Sequence, residues 1–174
     1  MTAGMLDPFQ RHLLAWLEDN AAPYRAAGAR RGWRYPTQFD LLLDEGRWFA
    51  PPTHGDADPN AAQICYAAST RLARRRGLAY VEGYALAEVG ESLQVMEHAW
   101  CSTTEGVAVD PAWGAGGGKA YLGIAITEAF RALVTRRARC AAAIHACEAD
   151  RFRLLEHGLP PDAVLDLGIP AVSR

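Results

Sequence analysis

The apolar positions of this chain follow two periods in turn. Leu13, Leu14 and Leu17 recur at helical spacing behind Asp7-Pro8. That pair joins a capping side chain to a residue suited to the first helical position, so a helix is predicted from there. The run AAPYRAAGARRGWRYP breaks the period with glycine, proline and arginine and reads as a loop. TQFDLLLDEG predicts a second short helix ending at Gly46, and RWFAPPTHGDADP an exposed connection. NAAQICYAASTRLARRRG carries the strongest helical pattern. Ala61, Ile64, Ala68 and Leu72 form its stripe, with Asn60 as cap and Gln63 as its capping-box partner.

The period then shortens to two. LAYVEGYALA, VMEHAWCSTT, VAVDPAW and AYLGIAI are rich in β-branched and aromatic residues and read as strands. Glu105-Gly106 is the turn expected between the second and third, and GAGGGKA a flexible loop. Thr127 opens a helix to about Arg139. The remainder looks mostly helical and then irregular. Helices followed by an antiparallel sheet define an α+β protein. A length of 174 residues suits one domain, with a helical part over 1–59, a core over 60–126 and a helical extension over 127–174.

Composition narrows the classes. Half the residues are hydrophobic, 22% are charged and the net charge is −2, which is globular and argues against a general electrostatic grip on nucleic acid. Lys119 is the only lysine. The arginine cluster RLARRRG sits at a predicted helix end before Gly77, where it complements the helix dipole. The glycine run 114–118 lacks the phosphate-loop pattern. No apolar run approaches the roughly 20 residues that span a bilayer, and the N-terminus lacks a secretory pattern. The expected location is therefore the cytoplasm, with the four cysteines reduced and no membrane or nucleic-acid partner.

Three residues carry candidate chemistry. Cys65 falls in the first turns of the best helix, where the dipole and free amides favour a thiolate. His98 lies in a strand, and Asp110 ends the next. A histidine that takes the thiol proton, and a carboxylate that fixes its tautomer, would complete a nucleophilic site. With Glu105 and Gly106 as the two turn residues, His98 lies opposite Trp113 and Asp110 opposite Cys101, on different faces. A turn centred nearer Thr104, or a bulge, brings the two side chains together, so spacing leaves both arrangements open. The amide of Cys65 is one oxyanion donor. Gln63 is another only if the helix begins later than drawn.

The same atoms could bind zinc. Yet His98 and Cys101 are three apart on a strand and project to opposite faces. In a helical C-terminal segment, Cys140 and Cys147 lie about 10 Å apart along the axis, with His145 pointing elsewhere. No metal and no cofactor is expected.

The order Cys-His-Asp, with the local motifs CYAAS, EHAW and VDPAW, resembles the transglutaminase-like branch of the papain-like cysteine enzymes over roughly residues 60–126. The resemblance implies a cysteine-bearing helix packed on an antiparallel sheet that bears the histidine and aspartate. It implies Cys65 as nucleophile, His98 as general base and acid, and Asp110 as orienting carboxylate. Tyr66, Trp100, Trp113 and Gln63 become candidates for the substrate pocket. The interval from Cys65 to His98 is shorter than in the large transglutaminases, so their substrate-binding insertions are missing, and YVEGYA points to a compact subfamily. The expected activity is hydrolysis or transfer of an acyl group from a small-molecule or peptide amide, ester or thioester. The alternative is an inactive binding or accessory protein on the same fold.

Overall fold

A computed structural model describes residues 6–55, 58 and 64–171. Helix α1 runs Pro8–Ala26. Asp7 accepts from the amides of Phe9 and Gln10 while the Gln10 side chain accepts from the Asp7 amide, a full capping box. The helix passes through Pro23, so the loop expected over residues 21–36 begins later. Buried Ala21 and the pairs of Arg25 with Asp40 and Glu18 hold this last stretch against the disfavoured proline. Helix α2, Gln38–Glu45, starts at the Thr37 cap and stops at Gly46, as expected.

Strand β1 is Arg47–Phe49, where an exposed connection was expected. Three residues are too few to show a period, yet Trp48 and Phe49 are buried in the sheet. Helix α3 is Cys65–Arg76, shorter than the pattern suggested. Ile64 precedes it and is exposed, so the buried face is Cys65, Ala68, Ser69 and Ala73. The proposed capping residues Asn60 and Gln63, and Ala61 of the expected stripe, lie outside the described residues. Gly77 closes the helix in the left-handed conformation, with Arg74, Arg75 and Arg76 in its last turn.

The remaining elements are β2 (Ala79–Val89), β3 (Ser92–Ser102), β4 (Ala108–Val109), β5 (Gly118–Ile126), α4 (Glu128–Ala138), α5 (Arg153–His157) and β6 (Ile169–Pro170). The strands pair antiparallel in the order β4-β3-β2-β5-β1-β6, and a parallel bridge joins Ala50 to Val107. The fold is thus α+β around one sheet. Ala50, just past β1, exchanges hydrogen bonds with Gly106 (3.0 Å) and Ala108 (2.8 Å) beside β4. Strands from opposite halves of the order are thereby tied together, and the sheet curls. Its concave face encloses Phe49, Val81, Ala85, Trp100, Ala108, Tyr121 and Ala125. Its convex face carries the larger core with α1, α2 and α3. Helix α3 lies across β3, where Ser69 Oγ donates to the Ala99 carbonyl at 2.9 Å.

Residues 141–152 form turns instead of the expected helix. The cause is Glu82, fully buried on β2. Its carboxylate accepts from the amides of Ala143 and Ile144 at 2.7 Å each and of His145 at 3.2 Å, plus the Tyr80 hydroxyl at 2.7 Å. The segment is thus docked through a side chain that composition cannot reveal. Glu82→Leu should cost roughly 3 kcal/mol or more, because three buried amides lose their acceptor together. Urea denaturation would measure this, and unchanged stability would mean that the segment is held by other contacts.

Candidate active site

The strand carrying His98 is paired with β4 only at Cys101 and Ser102. Beyond them no further strand among the described residues pairs with that side of β3. The turn after it explains the geometry that spacing left undecided. The Thr103 amide donates to the Val107 carbonyl at 3.0 Å and the Gly106 amide to the Thr103 carbonyl at 3.1 Å, with Gly106 at φ 77°. This three-residue loop replaces the two-residue turn expected at Glu105-Gly106, and Cys101 faces Val109 instead of Asp110. Strand β4 then ends, and VDPAW leaves the sheet at Asp110.

Asp110 is reoriented by its own neighbours. Its Oδ1 accepts from the amides of Ala112 at 2.8 Å and Trp113 at 3.3 Å, folding the chain back as an Asx turn. Its Oδ2 then lies 2.8 Å from His98 Nε2 and accepts from the Tyr121 hydroxyl at 2.8 Å. Tyr121 was not singled out in the sequence, where it reads as one more strand aromatic. A Cβ at Gly118 would lie 2.0 Å from the Tyr121 hydroxyl, so the end of the glycine run makes room for this contact.

With Nε2 on Asp110, the other ring nitrogen of His98 is left for Cys65, which lies close enough to favour the imidazolium electrostatically. Cys65 belongs to the convex core and His98 faces the concave side with Trp100, so they meet around this edge of β3. The indole of Trp113 stacks flat on the imidazole, with centroids 3.9 Å apart and planes 9° apart. Trp100 is fully buried in the concave core beside Phe49 and Tyr121, so it supports the site from below and lines no open pocket. Tyr66 is half-buried on the convex side, with its ring 6.2 Å from that of His145. Gln63 lies outside the described residues, and the amide of Cys65 stands at the first helical position, where it has no acceptor within the helix.

Electrostatics follow from these contacts. Burial works against the imidazolium of His98, but the hydrogen bond to Asp110 and the nearby Cys65 outweigh it and raise His98 to about 9. Burial likewise opposes the Asp110 carboxylate, and His98, Tyr121 and the Ala112 amide together pull it below its usual value. Burial pushes Cys101 and Cys147 up to about 12, and Cys140 is exposed. Cys101 Sγ points to the Ser69 carbonyl at 3.2 Å, away from His98. Among the described residues no three His, Cys, Asp or Glu side chains converge as a metal set, and no helix is long and apolar enough to cross a membrane.

No protein-family model, curated protein or solved structure matches this chain.

His98 is raised on folding, so its contribution to stability is complete below the ordinary value of about 6.5. It is lost as pH rises through about 9. Asp110→Asn removes the charged partner. His98 should then titrate at lower pH by NMR, and the fall in stability between these two values should flatten. An unchanged titration would leave Asp110 with no role beyond its turn.

Proposed function

We propose that the chain is a cysteine-dependent acyl-transfer enzyme, a hydrolase or acyltransferase with a Cys65-His98-Asp110 triad on a papain-like fold of the transglutaminase-like type. The observation that carries this reading is the His98 imidazole, held between the Asp110 carboxylate and the Cys65 thiol at the start of α3. A buried histidine used only for packing needs one partner. This one has a carboxylate on one nitrogen, a thiol at the other and an indole across its face.

The chemistry proceeds from those contacts. His98 takes the thiol proton, and Asp110 stabilises the imidazolium that forms. The sulfur attacks the carbonyl carbon of an amide, ester or thioester. The oxyanion develops near the Cys65 amide, where the dipole of α3 favours negative charge. The imidazolium protonates the leaving group as the tetrahedral intermediate collapses to a thioester on Cys65. Water or an amine then attacks that thioester and gives up its proton to His98, and the Cys65 thiolate leaves and recovers that proton.

Alkylation tests the pair directly. At pH 6, iodoacetamide should modify Cys65 on the order of tenfold faster than Cys140, and Cys101 and Cys147 should remain unmodified in the folded protein. Cys65 reacting no faster than Cys140 would favour the alternative of a binding or accessory protein. With an acyl substrate, Cys65→Ala should abolish turnover without unfolding the protein. Asp110→Asn should lower the rate on the order of 10²-fold, less than in a serine triad because a thiol can ionise before attack. Full activity in a folded Cys65→Ala variant would remove the triad.

A further inference from the structure

A groove of about 480 Å³ lies between α3 and the chain that leaves β4. Ala68, Leu72 and three arginines, Arg71, Arg75 and Arg76, line it from the helix. Asp110 lines it from the facing side, together with Asp58.

The charges in this groove do not balance. Arg71, Arg75 and Arg76 are exposed, and among the described residues the ion pairs of α3 go to Arg74 alone, which meets Glu128. The Asp110 carboxylate is engaged by His98, Tyr121 and its own turn. That sets Asp58 against three guanidinium groups, so the groove is positive in a chain whose net charge is −2. The helix dipole accounts for Arg75 and Arg76, which stand in or beside the last turn. Arg71 stands in mid-helix, beyond that effect. It also lies four positions before Arg75, and like charges at this spacing destabilise a helix. An anion between the two would reverse that cost.

The groove adjoins the triad on both sides. Cys65 opens the same helix, and Ala68, Leu72 and Arg75 follow it at i+3, i+7 and i+10, the spacing of one face. At 1.5 Å per residue, Arg71 lies about 9 Å and Arg75 about 15 Å along the axis from Cys65. The facing side holds Asp110, the carboxylate bonded to His98. An extended peptide covers about 3.3–3.6 Å per residue, so these distances correspond to about three to four residues. Guanidinium forks match carboxylates. No phenylalanine, tyrosine or tryptophan lines the groove among the described residues, so a nucleobase has no ring of that kind to stack on.

We propose that this groove selects an acidic peptide as the substrate of Cys65, with Arg71 and Arg75 receiving carboxylates about three to four residues from the reacting carbonyl. The assignment to a substrate rests on the proposed triad, and the test separates the two.

The full chain carrying Cys65→Ala, ¹⁵N-labelled at arginine, is titrated with acetyl-Gly-Gly-Glu-Glu-amide and with its Gln-Gln twin, following the arginine Nε–Hε signals by NMR. Saturable shifts of Arg71 and Arg75 are expected, with the glutamate peptide binding about tenfold tighter. Arg71→Gln combined with Arg75→Gln should weaken it about tenfold, and the fold should survive because both side chains are exposed. The chain with Cys65 intact is then alkylated with iodoacetyl-Gly-Gly-Glu-Glu-amide and its Gln-Gln twin. Cys65 should react about tenfold faster with the acidic reagent, and the double substitution should remove most of that preference. Equal binding of the two peptides, equal alkylation by the two reagents, or indifference to the double substitution would overturn the proposal. Tighter binding of a uridine hexanucleotide to the same arginines would replace the peptide by RNA. Acidic-peptide binding by a chain whose Cys65 fails the iodoacetamide test would keep the groove and remove only the catalytic reading.

Discussion

The carboxylate of Asp110 is where local chain geometry and site chemistry meet. It is nearly fully buried and has four donors around it: two amides of its own turn, the Tyr121 hydroxyl and His98. A charge in such a place is tolerated only when every lone pair is engaged. Each donor also does something else. The two amides end β4 and swing Trp113 over the imidazole. Tyr121 ties the carboxylate to β5, two strands beyond the one that bears His98. The bond to His98 uses Nε2 and so commits the remaining nitrogen to Cys65.

That arrangement depends on a sheet that curls. The bonds of Ala50 to the β4 hairpin bring the two halves of the strand order together and leave a small aromatic core of Phe49, Trp100 and Tyr121 below the imidazole. Glycines adjust the fit. Gly123 stands where a Cβ would lie 2.6 Å from the Trp100 ring, and Gly118 where one would meet Tyr121. The low-dielectric floor strengthens the interaction between carboxylate and imidazolium. Opposing burial and pairing effects on His98 resolve in favour of the charged form because Asp110 is hydrogen-bonded to the ring and Cys65 acts on it from nearby.

Much of this was legible in the sequence where a signal is local. Asp7-Pro8, Gly46, Gly77 and Thr127 mark helix ends by local signals that act within a few residues, and all four lie at helix ends in the structure. The order of Cys65, His98 and Asp110 was legible as a pattern of residue types. Their meeting was not, because a half-residue shift in the centre of one turn decides which face Asp110 takes. Gly106 with a positive φ made that shift, and Glu105-Gly106 fits either turn on paper. The misreadings share a cause. Strand β1 and the segment 141–152 owe their conformations to partners distant in the chain, Gly168 and the β5 strand for Arg47–Phe49 and Glu82 for Ala143–His145. Tyr121 was missed for the same reason: its hydroxyl acts across the sheet.

The alternation of a strand also accounts for how two different polar clusters lie so close together. Neighbouring residues Glu97 and His98 point to opposite faces of β3, one toward the convex side and the other toward the concave core. In the middle of a wide sheet those faces would not communicate. Here β4 covers only Cys101 and Ser102, so the edge at His98 has no strand partner among the described residues and the first residue of α3 can reach around it. A longer β4 would occupy that edge with backbone hydrogen bonds and exclude the thiol. The shortness of one strand, set by where Asp110-Pro111 turns the chain out of the sheet, therefore decides whether Cys65 can meet His98 at all.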